Sequence, residues 1–89
     1  MIAVDTATWQ YLGSVEVVGE AYDGARARLY LNPEGREVLI IPITNADEEQ
    51  LDFIALIAML ASRGESYVGS YEGTGCIVVI SPEKRGLTE

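Results

Sequence analysis

Histidine is absent from the 89 residues, and cysteine occurs once, at Cys76. Without an imidazole the usual general base and metal ligand is missing, so Cys-His nucleophiles, Ser-His-Asp triads and zinc-hydrolase sites are excluded by composition. A lone thiol closes no intramolecular disulfide and completes no zinc pattern. No metal and no cofactor is expected, and a reducing, cytoplasmic location fits. Lysine is nearly as scarce, with Lys84 alone, which removes the cation a phosphate loop depends on. The glycines of Gly69-Ser70-Tyr71-Glu72-Gly73-Thr74-Gly75 lead into a strand-like run and not into a helix N-terminus, so they read as a hairpin turn. The opening MIAVDTATWQ has no basic stretch followed by a long apolar one, and no signal peptide or anchor is read there. No apolar run approaches the ~20 residues of a membrane span.

What the chain has instead is negative charge. Fourteen acids against six bases give a net charge of -8, so nucleic acid and anionic membrane surfaces should repel it. The excess is concentrated, because from Glu37 through Ser62 there are five acids, Glu37, Asp47, Glu48, Glu49 and Asp52, and no Lys or Arg. Such a patch would steer a basic protein partner. The same residues also serve solubility and compensate a helix dipole, which needs no partner. A catalytic carboxylate pair from Asp5, Glu65 or Glu72 is not indicated, since no spacing brings two of them together.

With 48% hydrophobic residues the chain can build a core, and its length suits a single domain spanning 1–89, with a frayed polar tail from about 82. One segment reads as a full helix, 44–64. Asn45 and Glu48 form a capping box at its start, and Arg63 with Gly64 in the left-handed C′ position closes it. Phe53, Leu56, Ile57 and Leu60 fall on one face at i, i+3, i+4, i+7, which predicts the core-facing stripe. Leu51, Ala55 and Met59 lie along the opposite side. A helix apolar nearly all round is buried twice, so a second layer of the chain, or a homodimer or partner helix, is expected over that side.

The rest is strand and turn. Ile2 to Val4 and Thr8 to Leu12 have strand composition, and Trp9 and Tyr11 share one face as core-edge packing. Val15 to Ala21 alternates, and a three-residue loop, Tyr22-Asp23-Gly24, would pair Val17 with Leu29, Ala21 with Ala25 and Glu20 with Arg26. Asn32-Pro33-Glu34-Gly35 is the most specific local signal: Pro33 suits the first central position of a type I turn and Gly35 can take positive φ. It aligns Leu29 with Leu39, Ala27 with Ile41 and Ala25 with Ile43 on one face, the helix platform. The reverse face carries Val18, Tyr30, Val38 and Ile40, either solvated or clustered as a contact patch rimmed by arginine. Tyr67 to Glu72 is a further strand, and Cys76 to Ile80 a central one that Ser81-Pro82 ends. Cys76 reads as a small buried hydrophobe.

These elements predict an α+β domain, an antiparallel sheet in the order β-β-β-α-β-β, with a possible extra N-terminal strand, packed on a single helix. By elimination, the function is binding. In size, acidity and lack of catalytic groups the chain resembles the small phage-encoded inhibitors of bacterial defence, anti-CRISPR proteins among them, and the resemblance lies in composition with no motif residue carried over. It implies a non-enzymatic acidic module that occupies the basic groove of a nucleic-acid-binding protein. The alternative is a self-associating structural or regulatory module, a homodimer through the Leu51, Ala55, Met59 face or the Val18, Tyr30, Val38, Ile40 face. An enzyme would need a cleft that sequence does not show.

Overall fold

The protein's computed structural model describes residues 2–19, 22 and 24–84. Among them are strands β1 (Ile2–Ala3), β2 (Gln10–Glu16), β3 (Arg26–Leu31), β4 (Arg36–Pro42), β5 (Glu65–Tyr71) and β6 (Thr74–Lys84), with helix α1 (Glu48–Ser62) between β4 and β5. The strands form one sheet in the order β1-β5-β6-β4-β3-β2. All pairings are antiparallel except the short parallel contact of β1 with β5. This is the α+β arrangement the sequence predicts, with the N-terminal strand present.

The hairpin joining β3 and β4 forms as its residues dictate. Gly35 takes φ 82°, and the Asn32 side chain accepts from the backbone N–H groups of Glu34 at 3.0 Å and Arg36 at 2.9 Å, holding the turn from inside. Leu29 faces Leu39 as expected. The CIVVI run lies in β6, the third strand of six, where Cys76, Ile77 and Val78 are fully buried. A continuous apolar run suits a strand covered on both faces.

Elsewhere local signals misplace boundaries. Val15 faces Ala27 and Glu16 faces Arg26, four residues from the register expected of a tight loop. Because the shift is even, every side chain keeps its face. The connection is instead wide: Val17 N–H donates to the Ala25 carbonyl at 3.0 Å, Tyr22 N–H to the Gly19 carbonyl at 3.1 Å and Ala25 N–H to the Tyr22 carbonyl at 2.9 Å. Glu20, Ala21 and Asp23 of the expected loop lie outside the described residues. The β5–β6 turn is Glu72-Gly73, both at positive φ, with Tyr71 facing Thr74. Ser81 and Pro82 do not end β6, which continues to Lys84 because Arg36 pairs with Lys84 and its guanidinium donates to the carbonyls of Ser81 and Pro82. The tail beyond lies outside the described residues.

The sheet is covered on both faces. On one, Ala27, Ile41 and Ile77 pack with Leu51, Ala55 and Ala58 of α1, and Ala25, Leu39, Ile43 and Val79 join from the sheet. On the other, Tyr30, Val38, Ile40, Cys76 and Val78 form a second core beneath Val4, Trp9, Tyr67 and Tyr71. Tyr30, Val38 and Ile40 are therefore neither solvated nor a docking patch, while Val18 of the same expected set stays exposed. The N-terminal segment closes this second core, with Val4 N–H donating to the Ser70 carbonyl at 2.9 Å and Trp9 set edge-on to Tyr30 at 6.0 Å.

Helix α1 starts two residues later than predicted. Asp47 is the N-cap: its Oδ1 accepts from Gln50 N–H at 2.8 Å, and its own N–H donates to Gln50 Oε1 at 2.9 Å. The sequence holds two overlapping boxes, Asn45-x-x-Glu48 and Asp47-x-x-Gln50, and the second forms. At the other end Arg63, not Gly64, is left-handed, with φ 63°. Gly64 serves another purpose, since a Cβ there would run into the backbone carbonyl of Ile80.

The largest departure is the rotation of α1. The predicted core stripe faces outward: Phe53 is 63% exposed, Leu56 48%, Ile57 39% and Leu60 69%. The face that seats on the sheet is Leu51, Ala55 and Ala58, all below a tenth exposed. The physical reason is space. Ile41 and Ile77, with Val68 and Val79, belong to the core that α1 closes over β5 and β6, and Ala55 and Ala58, beside Leu51 and the partly buried Ile54, let the helix backbone approach where larger residues would overfill the layer.

Candidate functional site

The rotation of α1 creates the candidate site. Its inner half is anchored over β5 and β6, so Phe53, Leu56, Ile57 and Leu60 stand opposite that contact on a rigid, capped helix. Phe53 and Leu60 are seven residues apart, about 10 Å along the axis at ~1.5 Å per residue, and Leu56 and Ile57 fill the interval. The result is a continuous apolar strip. Glu49 and Asp52 border its N-terminal end, Arg63 its C-terminal end, and all three side chains are exposed.

The residues proposed from sequence are divided by this geometry. Asp47, Glu48, Glu49 and Asp52 come together at the exposed start of α1, with Asp47 committed to the cap. Glu37 is not among them, because it lies near the hairpin end of β4, five residues and about 17 Å of strand from Pro42, beyond which α1 starts. Leu51 and Ala55 are buried against the sheet, and Tyr30, Val38 and Ile40 beneath the N-terminal segment, so none can meet a partner. Met59, 38% exposed, flanks the strip, and Val18, 89% exposed, stands in the loop after β2. The strip itself was missed as a surface. One signal could have found it, the run of large residues on the helix-facing side of the sheet, which calls for a small-residue helix face.

Beside the strip lies an open groove of about 940 Å³ between the start of α1 and the ends of β3 and β4, lined by Tyr22, Arg26, Pro42, Ile43, Phe53 and Ile54 among others. Phe53 belongs to both features. Glu49 and Thr44 also line the groove, and among the described residues no three His, Cys, Asp or Glu side chains group to hold a metal.

The aromatic cluster on the far face is structural. Tyr30 and Tyr71 share a hydroxyl–hydroxyl hydrogen bond of 2.6 Å, Tyr11 tilts over Tyr30 at 5.4 Å, and the Arg28 guanidinium lies 5.6 Å from the Tyr71 ring centre. Burial would raise the Tyr30 phenol, but hydrogen bonds from Tyr71, Thr6 and Arg28 outweigh it and hold the group below its usual range. Tyr71 is pushed up, by that shared bond first and by burial second. Burial likewise pushes up the Cys76 thiol, which keeps it protonated and unreactive.

No helix among the described residues is long and apolar enough to cross a membrane. No protein-family model, curated protein or solved structure matches the chain. Its surface has to be read on its own terms.

Proposed function

We infer that the chain is a non-enzymatic, acidic protein-binding module whose docking surface is the outer face of α1. The observation that carries this is the exposure of Phe53, Leu56, Ile57 and Leu60 together on one helix face. Scattered exposed apolar side chains are normal, but a contiguous patch with a charged border is how contact sites are composed. A cytoplasmic setting suits its buried, protonated thiol.

The magnitudes say what kind of partner fits. The four side chains expose roughly 450 Å² of apolar surface, worth about 11 kcal/mol gross at ~25 cal/mol per Å². Association itself costs about 4–15 kcal/mol. A polar partner therefore leaves little net affinity, whereas a partner with a matching apolar face about doubles the gross term.

A second reading keeps the acidic end of α1 as the contact. Glu48, Glu49 and Asp52 are exposed around the helix N-terminus, and with the net charge of -8 they favour a basic groove, such as that of a nucleic-acid-binding machine which the chain would inhibit. Two variants separate the readings. Leu56→Glu with Leu60→Glu should abolish partner capture at every salt concentration if the strip docks, by 100-fold or more in affinity. Glu48→Gln, Glu49→Gln and Asp52→Asn together should abolish it only if charge docks. Capture retained by the strip variant overturns the first reading.

A further inference from the structure

We propose that the occupant of the outer face of α1 is a second copy of the chain, with the two helices antiparallel across a two-fold axis between Leu56 and Ile57. The proposal rests on the docking-face reading above and names its partner. It follows from three properties of the strip.

The first is symmetry. The positions of Phe53, Leu56, Ile57 and Leu60 are evenly spaced about the midpoint of Leu56 and Ile57, with an apolar residue at each. A two-fold interface requires that when residue i meets residue j, j also meets i. Antiparallel copies satisfy this with Phe53 of each helix against Leu60 of the other, while Leu56 and Ile57 close the middle around the axis. All four are exposed to do so.

The second is charge. At about 100° per residue Asp52 and Arg63 fall on the same flank of the strip, with Glu49 near its line. An antiparallel partner brings its Arg63 between Glu49 and Asp52 of the first copy, and the contact repeats at the other end. A parallel partner would put this flank of one helix on the opposite side of the interface from the same flank of the other, so Arg63 would not reach Glu49 or Asp52. Neither Glu49, Asp52 nor Arg63 belongs to an ion pair among the described residues. The macrodipoles also oppose favourably in the antiparallel arrangement.

The third is area. Two copies bring roughly 900 Å² of apolar surface together, over half of the ~1,600 Å² of a standard interface, and the stems of Glu49, Gln50, Met59 and Arg63 extend it. The facing strip is the matched apolar surface that a polar partner lacks.

The test is sedimentation and light scattering of the full chain, followed by cysteine cross-linking. The 9.7 kDa chain should run at twice its mass at about 100 μM, the range in which a weak dimer is populated. Leu56→Glu should return it to monomer with unchanged circular dichroism. Arg63→Glu should weaken the dimer several-fold, and adding Glu49→Arg with Asp52→Arg should restore it. Under mild oxidation, Phe53→Cys mixed with Leu60→Cys should cross-link, while neither should do so alone. A monomer at that concentration, a dimer indifferent to Leu56→Glu, or cross-linking by Phe53→Cys alone would overturn the proposal. A monomeric wild type whose strip variant loses capture of another protein overturns the dimer and leaves the docking face standing; a monomer whose capture ignores the strip overturns both.

Discussion

The two faces of α1 differ in their mix of sizes, and the contrast is informative. Inward are Ala55 and Ala58 with Leu51 and the partly buried Ile54; outward are Phe53, Leu56, Ile57 and Leu60. A helix turned half a revolution would place more apolar area against the sheet, and by area alone that rotation would be preferred. Ile41 and Ile77, with Val68 and Val79, already occupy the core that α1 closes, and added methylenes there would strain it. Yet the outer residues are large and apolar where folding would accept glutamate or lysine. Packing accounts for the inner face and leaves the outer face without a role in the core, which is why the outer face is proposed as the binding surface.

The contrast breaks most visibly on stability. Leu51 is 3% exposed near the start of α1, within the helix–sheet core, and Leu51→Ala should lower the unfolding free energy by about 2–4 kcal/mol. Leu60→Ala, measured by denaturant titration below the concentration at which copies associate, should change it by no more than about 0.5 kcal/mol. Equal losses would mean that both faces are core and would remove the case for a docking surface.

That same contrast marks how far the sequence could be read. The sheet was legible where chemistry is local. Asn32, Pro33 and Gly35 encode their turn, alternation fixes which residues share a face, and the CIVVI run marks a strand covered twice. The rotation of α1 was not legible, because the helix is apolar on two opposite arcs and periodicity alone ranks the bulkier arc as core. Deciding between them needs the volume on the facing sheet, which is long-range information. The second core was hidden for a similar reason: Val4 and Trp9 reach Tyr30 and Val78 across the fold, and nothing local in MIAVDTATWQ announces it. The acidic cluster was visible as composition, but only the fold shows that Glu37 stands apart from it.

The helix cap gives the next effect in size. Asp47 satisfies Gln50 N–H and receives a bond in return, so Asp47→Ala should cost about 1 kcal/mol. Asn45→Ala, the cap that sequence favoured, should cost far less in the same thermal or denaturant measurement. The comparison between faces is sharpened because this loss frays the end of α1 that carries Glu48 and Glu49 while Leu56 and Leu60 stay seated in the later turns. A cap variant that keeps association assigns binding to the apolar strip.

The smallest effect on the fold separates the partners most cleanly. Glu49→Gln with Asp52→Asn removes two exposed charges, of which only Glu49 lies in the first turn of α1 where the macrodipole acts. At physiological salt the folded state should lose no more than about 0.5 kcal/mol. For a second copy, these charges meet Arg63 at an exposed rim where each pair is worth about 0.2–1 kcal/mol, so dimer affinity should fall several-fold at low salt and converge with wild type as salt rises. For a basic groove, two of the principal contacts vanish, and the affinity should fall by tenfold or more at low salt while wild-type binding itself disappears at high salt. The salt dependence of the wild type thus carries the decision. Two copies of charge -8 repel through their net fields, so screening should hold or strengthen a dimer joined by its apolar strip, and it should dismantle a complex joined by charge.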